Sequence, residues 1–278
     1  MDTILIFWQT PRNTNEGDFD NFGDLISKSI IEYFTDREIV WKRTSDVRWY
    51  HKNRNIYLTA GSIVKQSNKY TTIWGSGIKE LDYKIKGAKN ICAVRGPRTR
   101  ASLIERGFDV PEVYGDPALL CPLLFHVEKK PQYIGIIPHY VDFELVNPLF
   151  SKNGKYKVID LTAPVVKVID DIAKCKFVFS SSLHGIIVPH AYGIPCLQVE
   201  FSDKISGNGV KYLDYFDSLE INNYSPLRVN LQNSLKDIES ALMNFYSEKQ
   251  EESIPQEELL NKLIKQLIEA CPFNEKNR

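Results

Sequence analysis

Apolar positions fall in short blocks that alternate with longer stretches of helical spacing. "TILIFW" (3–8) is followed by "DLISKSIIEYF" (24–34), then come "NIYLTAG" (55–61), "TTIWGSG" (71–77) and "ICAVRG" (91–96). The last leads into "PRTRASLIERG" (97–107), and "VYGDP" (113–117) leads into "ALLCPLL" (118–124). Blocks that are apolar throughout belong to strands buried on both faces, so the rhythm predicts parallel strands joined by crossover helices.

After the polar "HVEKKPQ" (126–132) the rhythm restarts with "YIGIIPHY", "YKVIDL", "VVKVIDDIAKC", "KFVFSS", "GIIVPHAYG" and "PCLQVEF". The pattern predicts an α/β protein of two Rossmann-like domains, 1–128 and 129–278. The tail, 231–272, carries two helical patterns that can cross back to the first domain. The second places Leu259, Leu260, Leu263, Ile264, Leu267 and Ile268 on one stripe, suited to packing on a core, with Lys262 and Lys265 flanking it for a surface role at a membrane.

Length and composition agree with sizeable cores: 278 residues, 43% hydrophobic and 12% aromatic. Lysine plus arginine and aspartate plus glutamate stand at 35 each, so no overall field recruits nucleic acid, and any basic site is local. The apolar start is too short for a signal peptide and no run of 18 apolar residues occurs, which predicts a cytoplasmic protein. Cys92, Cys121, Cys175, Cys196 and Cys271 are widely spaced without a C-x-x-C pair. They read as reduced, buried small hydrophobes, and no metal site is expected.

In open α/β sheets a ligand sits beyond the carboxyl ends of the strands. The residues just after each apolar block are polar and glycine-rich: "NFGD" (21–24), "GS" (61–62), "GSG" (75–77), "RGPRTR" (95–100), "GDP" (115–117), "PHY" (138–140) and "SSSLHG" (180–185). Each alone is equally a turn or a cap; the shared placement singles them out. Arg95, Arg98 and Arg100 surround Pro97, which suits a first helical turn. Three cations beside the positive end of a helix are unfavourable unless an anion offsets them. His184, at a strand-to-helix turn, can serve as a general acid or as a satisfied core histidine. Asp24 can take a proton from a hydroxyl or favour a helix start, and His139 can act as acid, base or ligand or cap a loop. His190 lies about 240° round the helix from His184 and shares no face with it.

"SGNGVK" (206–211) offers glycines that let backbone amides approach an anion, with Lys211 as a point charge. Trp49, Tyr50 and His51, among Arg48, Lys52 and Arg54, can form a sugar platform, touch a membrane-bound acceptor or make a plain surface loop.

Seven blocks in order, "NFGDLIS", "IWGSGI", "VRGPRTR", "YGDPALLCPLL", "IGIIPHY", "SSSLHGIIVPHAYGIPC" and "FSDKISGNGVKYLDYF", make the chain resemble the polysaccharide pyruvyltransferases. These enzymes move pyruvate from phosphoenolpyruvate onto two hydroxyls of a sugar as a cyclic ketal. The resemblance implies a glycosyltransferase-B-like pair of domains with C-terminal helices, the first taking the acceptor and the second the donor. Phosphoenolpyruvate is then a co-substrate and no cofactor is needed. The acceptor is expected to be a lipid-linked oligosaccharide at the inner membrane face, as in capsule or exopolysaccharide synthesis, with peripheral membrane contact.

His184 matches the family's donor-site histidine. Some members carry arginine two residues earlier, where this chain has Ser182, so the carboxylate partner must be Arg95, Lys204 or Lys211. The expected catalytic residues are His184, Asp24 and His139. Substrate contacts are expected from Asn21, Gly23, Gly75, Ser76, Gly77, Arg95, Ser181, Ser182, Gly185, Lys204, Asn208, Gly209 and Lys211. A nucleotide-sugar glycosyltransferase of the same fold, reading "LHG…AYGIP" through Glu200, is the alternative.

Overall fold

The computed structural model describes residues 3–9, 12, 19–50, 55–221 and 224–273. In chain order come β1 (Ile4–Phe7), α1 (Phe22–Phe34), β2 (Ile39–Trp41), β3 (Ile56–Leu58), β4 (Thr71–Trp74), β5 (Asn90–Ala93), α2 (Pro97–Ile104) and the short α3 (Cys121–Leu124). There follow β6 (Tyr133–Ile137), α4 (Phe143–Phe150), β7 (Tyr156–Val158), α5 (Val165–Ile172), β8 (Cys175–Ser180), α6 (His184–Ala191) and β9 (Cys196–Glu200). The chain ends with α7 (Val210–Ser218), β10 (Leu227–Arg228), α8 (Leu235–Glu248) and α9 (Glu257–Glu269).

The strands form two five-stranded sheets, ordered β2-β1-β3-β4-β5 and β10-β9-β8-β6-β7, and every pairing is parallel. The α/β reading of the apolar blocks therefore holds. Strand order reverses direction between β1 and β3 in the first sheet and between β6 and β8 in the second. At such a switch point the two crossovers leave on opposite faces, and a crevice opens beyond the strand ends.

Two compact units account for the packing. One comprises 1–120, 207–222 and 257–278, the other 121–206 and 223–256. In the first, α1 buries Phe22, Ile26, Ile30 and Phe34 at helical spacing. Leu260, Leu263 and Leu267 of α9 are also buried, each stabilising by about 1.5–3 kcal/mol relative to exposure. The indole N–H of Trp74 donates to the Leu267 carbonyl at 3.0 Å. Three leucines of the tail's stripe are thus core residues, while Leu259, Ile264 and Ile268 are half-buried.

In the second unit, Tyr246 of α8 stacks on Phe177 of β8 with ring centroids 3.9 Å apart. Ser234 caps α8 by accepting from the Asp237 amide. All five cysteines are free thiols; Cys121, Cys175 and Cys196 are buried, Cys92 and Cys271 half-buried. Among the described residues no helix is long and apolar enough to cross a membrane.

Candidate active site

At the switch point of the second sheet, β6 ends at Ile137 and β8 at Ser180, which pair in register. Parallel pairing carries both strands to the same edge, so His139 and the turn 181–184 emerge side by side. The His139 amide donates to Ser181 Oγ at 2.9 Å, and the Ser181 amide to the Ile137 carbonyl at 3.0 Å. Ser180 Oγ lies 3.0 Å from the carbonyls of both Ile137 and Ser182 and accepts from the Ser182 amide, also at 3.0 Å. Two of the three serines therefore spend their hydroxyls lacing the turn to β6. Ser182, also buried, keeps its hydroxyl outside this lacing.

His184 opens α6 and is 8% exposed. Its Nε2 is buried and makes no hydrogen bond among the described residues, although the residue keeps other interactions. The first amides of a helix lack intrahelical acceptors, and the helix end carries partial positive charge. An imidazole and an anion can meet there. Gly185 serves packing: a Cβ would stand 2.4 Å from Ser180 Oγ and 2.8 Å from Ile137 Cγ2. Only glycine lets the helix start directly on the serine turn.

His139 is half-buried, stacks beside Tyr140 with centroids 4.4 Å apart, and accepts from the Val141 amide through Nδ1 at 3.4 Å. Below it, Asp142 is wholly buried. One of its oxygens accepts from the Ser202 hydroxyl, and Ser202 Oγ in turn accepts from the Lys204 amide at 3.1 Å. Asp142 thus anchors the loop that presents the exposed Lys204. Sequence reading missed it, because 60 residues separate the partners and nothing local marks the pair.

At the switch point of the first sheet, Asn21 Nδ2 donates to Asp24 Oδ2 at 2.9 Å. Asp24 Oδ1 lies 3.6 Å from where a Cβ of Gly61 would stand, so the carboxylate faces the end of β3. Gly23 is buried in the first turn of α1. Lys211 of α7 is half-buried, and its ammonium is pushed down to about 8 by desolvation and by the charges of Lys79 and Arg95, against the pull of Asp24. Asp24, Lys79 and Lys211 therefore form one electrostatic group with a surplus of cations.

Gly207 and Gly209 before α7 both have positive φ, +105° and +78°, a backbone that L side chains rarely adopt. Asn208 between them is exposed, and its Oδ1 accepts from the Val210 amide at 3.4 Å. The glycines of this loop answer to its turn geometry.

Arg95 is fully buried, donating from Nε to Asp214, from Nη1 to Ser62 and from Nη2 to the Ile78 carbonyl. At Gly77 the missing Cβ leaves room for the guanidinium, whose Cζ would lie 2.2 Å away. Gly75, at φ +85°, yields the same kind of room to Pro117, and the buried Ser76 hydroxyl donates to the Thr59 carbonyl.

The anion demanded by the arginine-rich helix start is supplied from within. Asp214 accepts from the Thr99 amide at 2.8 Å and hydroxyl at 2.7 Å, capping α2 from α7. Asp217 takes Arg98 at 2.6 Å. Of the basic aromatic loop, Trp49 and Tyr50 are exposed and meet edge to face, whereas His51, Lys52 and Arg54 lie outside the described residues.

Two parallel sheets, each presenting polar side chains at its switch point, define an α/β protein. The polysaccharide pyruvyl transferase family matches residues 21–200, and the chain belongs to that family. The matched span contains Asn21, Asp24, His139 and His184 and stops before Lys204 and Lys211. An uncharacterized protein, L143, of Acanthamoeba polyphaga mimivirus is 33% identical over 225 residues, which is 77% of each chain.

Proposed function

We propose that the protein transfers pyruvate from phosphoenolpyruvate to two hydroxyls of a sugar in a polysaccharide precursor, forming a cyclic ketal and releasing phosphate. Family membership supports pyruvyl transfer onto polysaccharide. The observation that carries the donor chemistry is the His139–Ser181 hydrogen bond of 2.9 Å, because it sets two histidine-bearing strand ends together at a switch point.

An enol phosphate becomes electrophilic at C2 once its methylene carbon takes a proton. His184 is the residue assigned to that protonation. One sugar hydroxyl then attacks C2, the C2–O bond to phosphate breaks, and the second hydroxyl attacks to close the ketal. Of the two hydroxyl protons released, one balances the proton given to the methylene carbon and one leaves with the phosphate. A positioned general acid contributes about 10²- to 10⁴-fold.

Ser182 and the first amides of α6 are assigned to an oxyanion of the donor, and Lys204, on its Asp142-anchored loop, to the phosphate. Lys211 is assigned to an anionic substrate group and Asp24 to the proton of an attacking hydroxyl. The acceptor we favour is a lipid-linked oligosaccharide at the inner membrane face.

Phosphate release from phosphoenolpyruvate, run against galactose-, mannose- and glucosamine-containing acceptors with NMR detection of the ketal methyl group, tests the reading. Ketal formation with stoichiometric phosphate is the expected result. Stabilisation by UDP or GDP without any effect of phosphoenolpyruvate would transfer the chain to nucleotide-sugar chemistry.

A further inference from the structure

Two lysines of the first unit stand together without carboxylates to match them. Lys79, in the loop that follows β4, is exposed. Lys211, in the first turn of α7, is half-buried. The loop before α7 brings them together: a Cβ on Gly207 would stand 2.9 Å from the Lys79 carbonyl oxygen and 3.5 Å from Lys79 Cγ. Gly207 therefore rests directly on Lys79, four residues ahead of Lys211. Among the charges that act on Lys211, those of Lys79 and Arg95 oppose its ammonium more than Asp24 favours it.

The neighbouring acids are engaged elsewhere. Glu80, next to Lys79 in sequence, pairs with Lys65 at 3.1 Å. On α7, Asp214 holds Arg95 and Thr99, and Asp217 holds Arg98 at 2.6 Å. Neither Lys79 nor Lys211 makes an ion pair or a side-chain hydrogen bond among the described residues. Lys211 Nζ lies over the Tyr212 ring, 4.9 Å from its centroid. At the start of α7 the Val210 amide donates to Asn208 Oδ1 and the Tyr212 amide to the Gly209 carbonyl. The Lys211 amide between them has no acceptor among the described residues, and helix starts leave such donors to water or an anion. One half-buried ammonium beside another is penalised until a counter-ion joins them.

We propose that Lys79 and Lys211 together bind a phosphoryl group, with the Lys211 amide as a third donor. Two ammonium groups and an amide suit the terminal oxygens of a phosphate ester, which offer more acceptors than a carboxylate does. The group comes either from phosphoenolpyruvate or from a phosphate or diphosphate link in the acceptor, and the same donors serve both. Nothing in the sequence around Lys79 marks it for this role. The binding claim stands on the two lysines alone, while its place in the reaction rests on the pyruvyl-transfer reading above.

Calorimetric titration of the whole chain with diphosphate, phosphoenolpyruvate and acetate tests the proposal. Diphosphate or phosphoenolpyruvate is expected to bind about tenfold or more tighter than acetate, and the tighter of the two names the source of the phosphoryl group. Lys79→Met should weaken that binding by about tenfold, as for loss of a charged contact, and Lys79→Arg should restore most of it. Lys79 is exposed, so neither variant disturbs a core. Lys79→Met should also reduce the proton uptake that accompanies binding at pH 8.5, because Lys211 is then charged beforehand; a merely structural role for Lys79 would leave that uptake unchanged. Acetate binding as tightly as both phosphates, no saturable binding of either phosphate, or affinity indifferent to Lys79→Met would each overturn the proposal. Failure of the ketal assay with binding at the two lysines intact would strike the pyruvyl-transfer reading instead and leave the site standing.

Discussion

The guanidinium of Arg95 and the carboxylate of Asp214 lie 3.0 Å apart with neither side chain exposed to solvent. They join the end of β5 to α7 across 119 residues of sequence. Removing one partner of such a pair strands the other charge in a low-dielectric interior, at a cost of about 3–5 kcal/mol. Arg95→Ala is therefore expected to lower unfolding free energy by that amount in a urea titration. Replacing both partners together, Arg95→Met with Asp214→Leu, should recover much of the loss. A stable Arg95→Ala protein with weakened donor affinity alone would instead make Arg95 a ligand.

His184→Ala should leave the fold intact and reduce turnover in the phosphate-release assay by at least about 10²-fold, as expected for a missing general acid. The imidazole is buried, so the melting temperature should fall modestly from the vacated volume while circular dichroism stays that of the folded protein. Near-normal turnover would assign His184 to packing.

The sheets and the polar strand ends were legible in the sequence because parallel strands buried on both faces announce themselves as unbroken apolar blocks. His184 and His139 could be placed at strand ends for that reason. What the chain does with each polar residue was not legible. Arg95 and a substrate-binding arginine look the same until Asp214 is seen beside it, and Asp214 sits unmarked within "VKYLDYFDS". Gly77 reads like a phosphate loop until Arg95 is found lying across it. The leucine stripe of α9 was readable as a stripe, but the burial of Leu260, Leu263 and Leu267 is decided by tertiary packing alone.

The serine turn divides into lacing and ligand positions, and substitutions should separate them. Ser180→Ala removes the acceptor of the buried Ser182 amide and the donor to two carbonyls, so a stability loss of about 1–3 kcal/mol is expected. Ser182→Ala should spare stability and weaken phosphoenolpyruvate binding by about 0.5–1.5 kcal/mol, the worth of one neutral hydrogen bond. Parallel melts and donor titrations of the two variants check this. The reverse assignment of losses would move the donor to the other face of the turn.

His190, fully buried in α6, holds its Nε2 at 3.2 Å from the Cys196 carbonyl and 3.1 Å from the Ser253 carbonyl. Burial drives its ring down to about 4, despite both contacts. The unfolded chain, near 6.5, takes up a proton that the folded chain refuses. Stability is thus unaffected above about pH 6.5 and falls as pH drops from there to 4. The loss amounts to about 3 kcal/mol for a shift of this size. Denaturant titrations at pH 7 and pH 4.5 should show it, and His190→Gln should flatten the difference.

Lys211 works in the opposite pH range. Its ammonium, pushed down to about 8 by desolvation and by Lys79 and Arg95, is charged in both folded and unfolded chains at neutral pH, and the folded chain bears the penalty. Between about 8 and the unfolded value of about 10.4 the folded chain sheds the proton first, so this contribution to stability improves as pH rises. Lys211→Met should accordingly raise the melting temperature at pH 7 and lose that advantage by pH 10.5. An anionic substrate acts on the same balance, because a negative charge beside Lys211 favours the ammonium. Binding above pH 8 must then take up a proton, and affinity should fall with pH through that region in the wild type but not in Lys211→Met. Calorimetry of phosphoenolpyruvate in buffers of different ionisation enthalpy reads the proton directly. No uptake at pH 8.5, with affinity unchanged in the variant, would remove Lys211 from the site and leave its charge a purely structural burden.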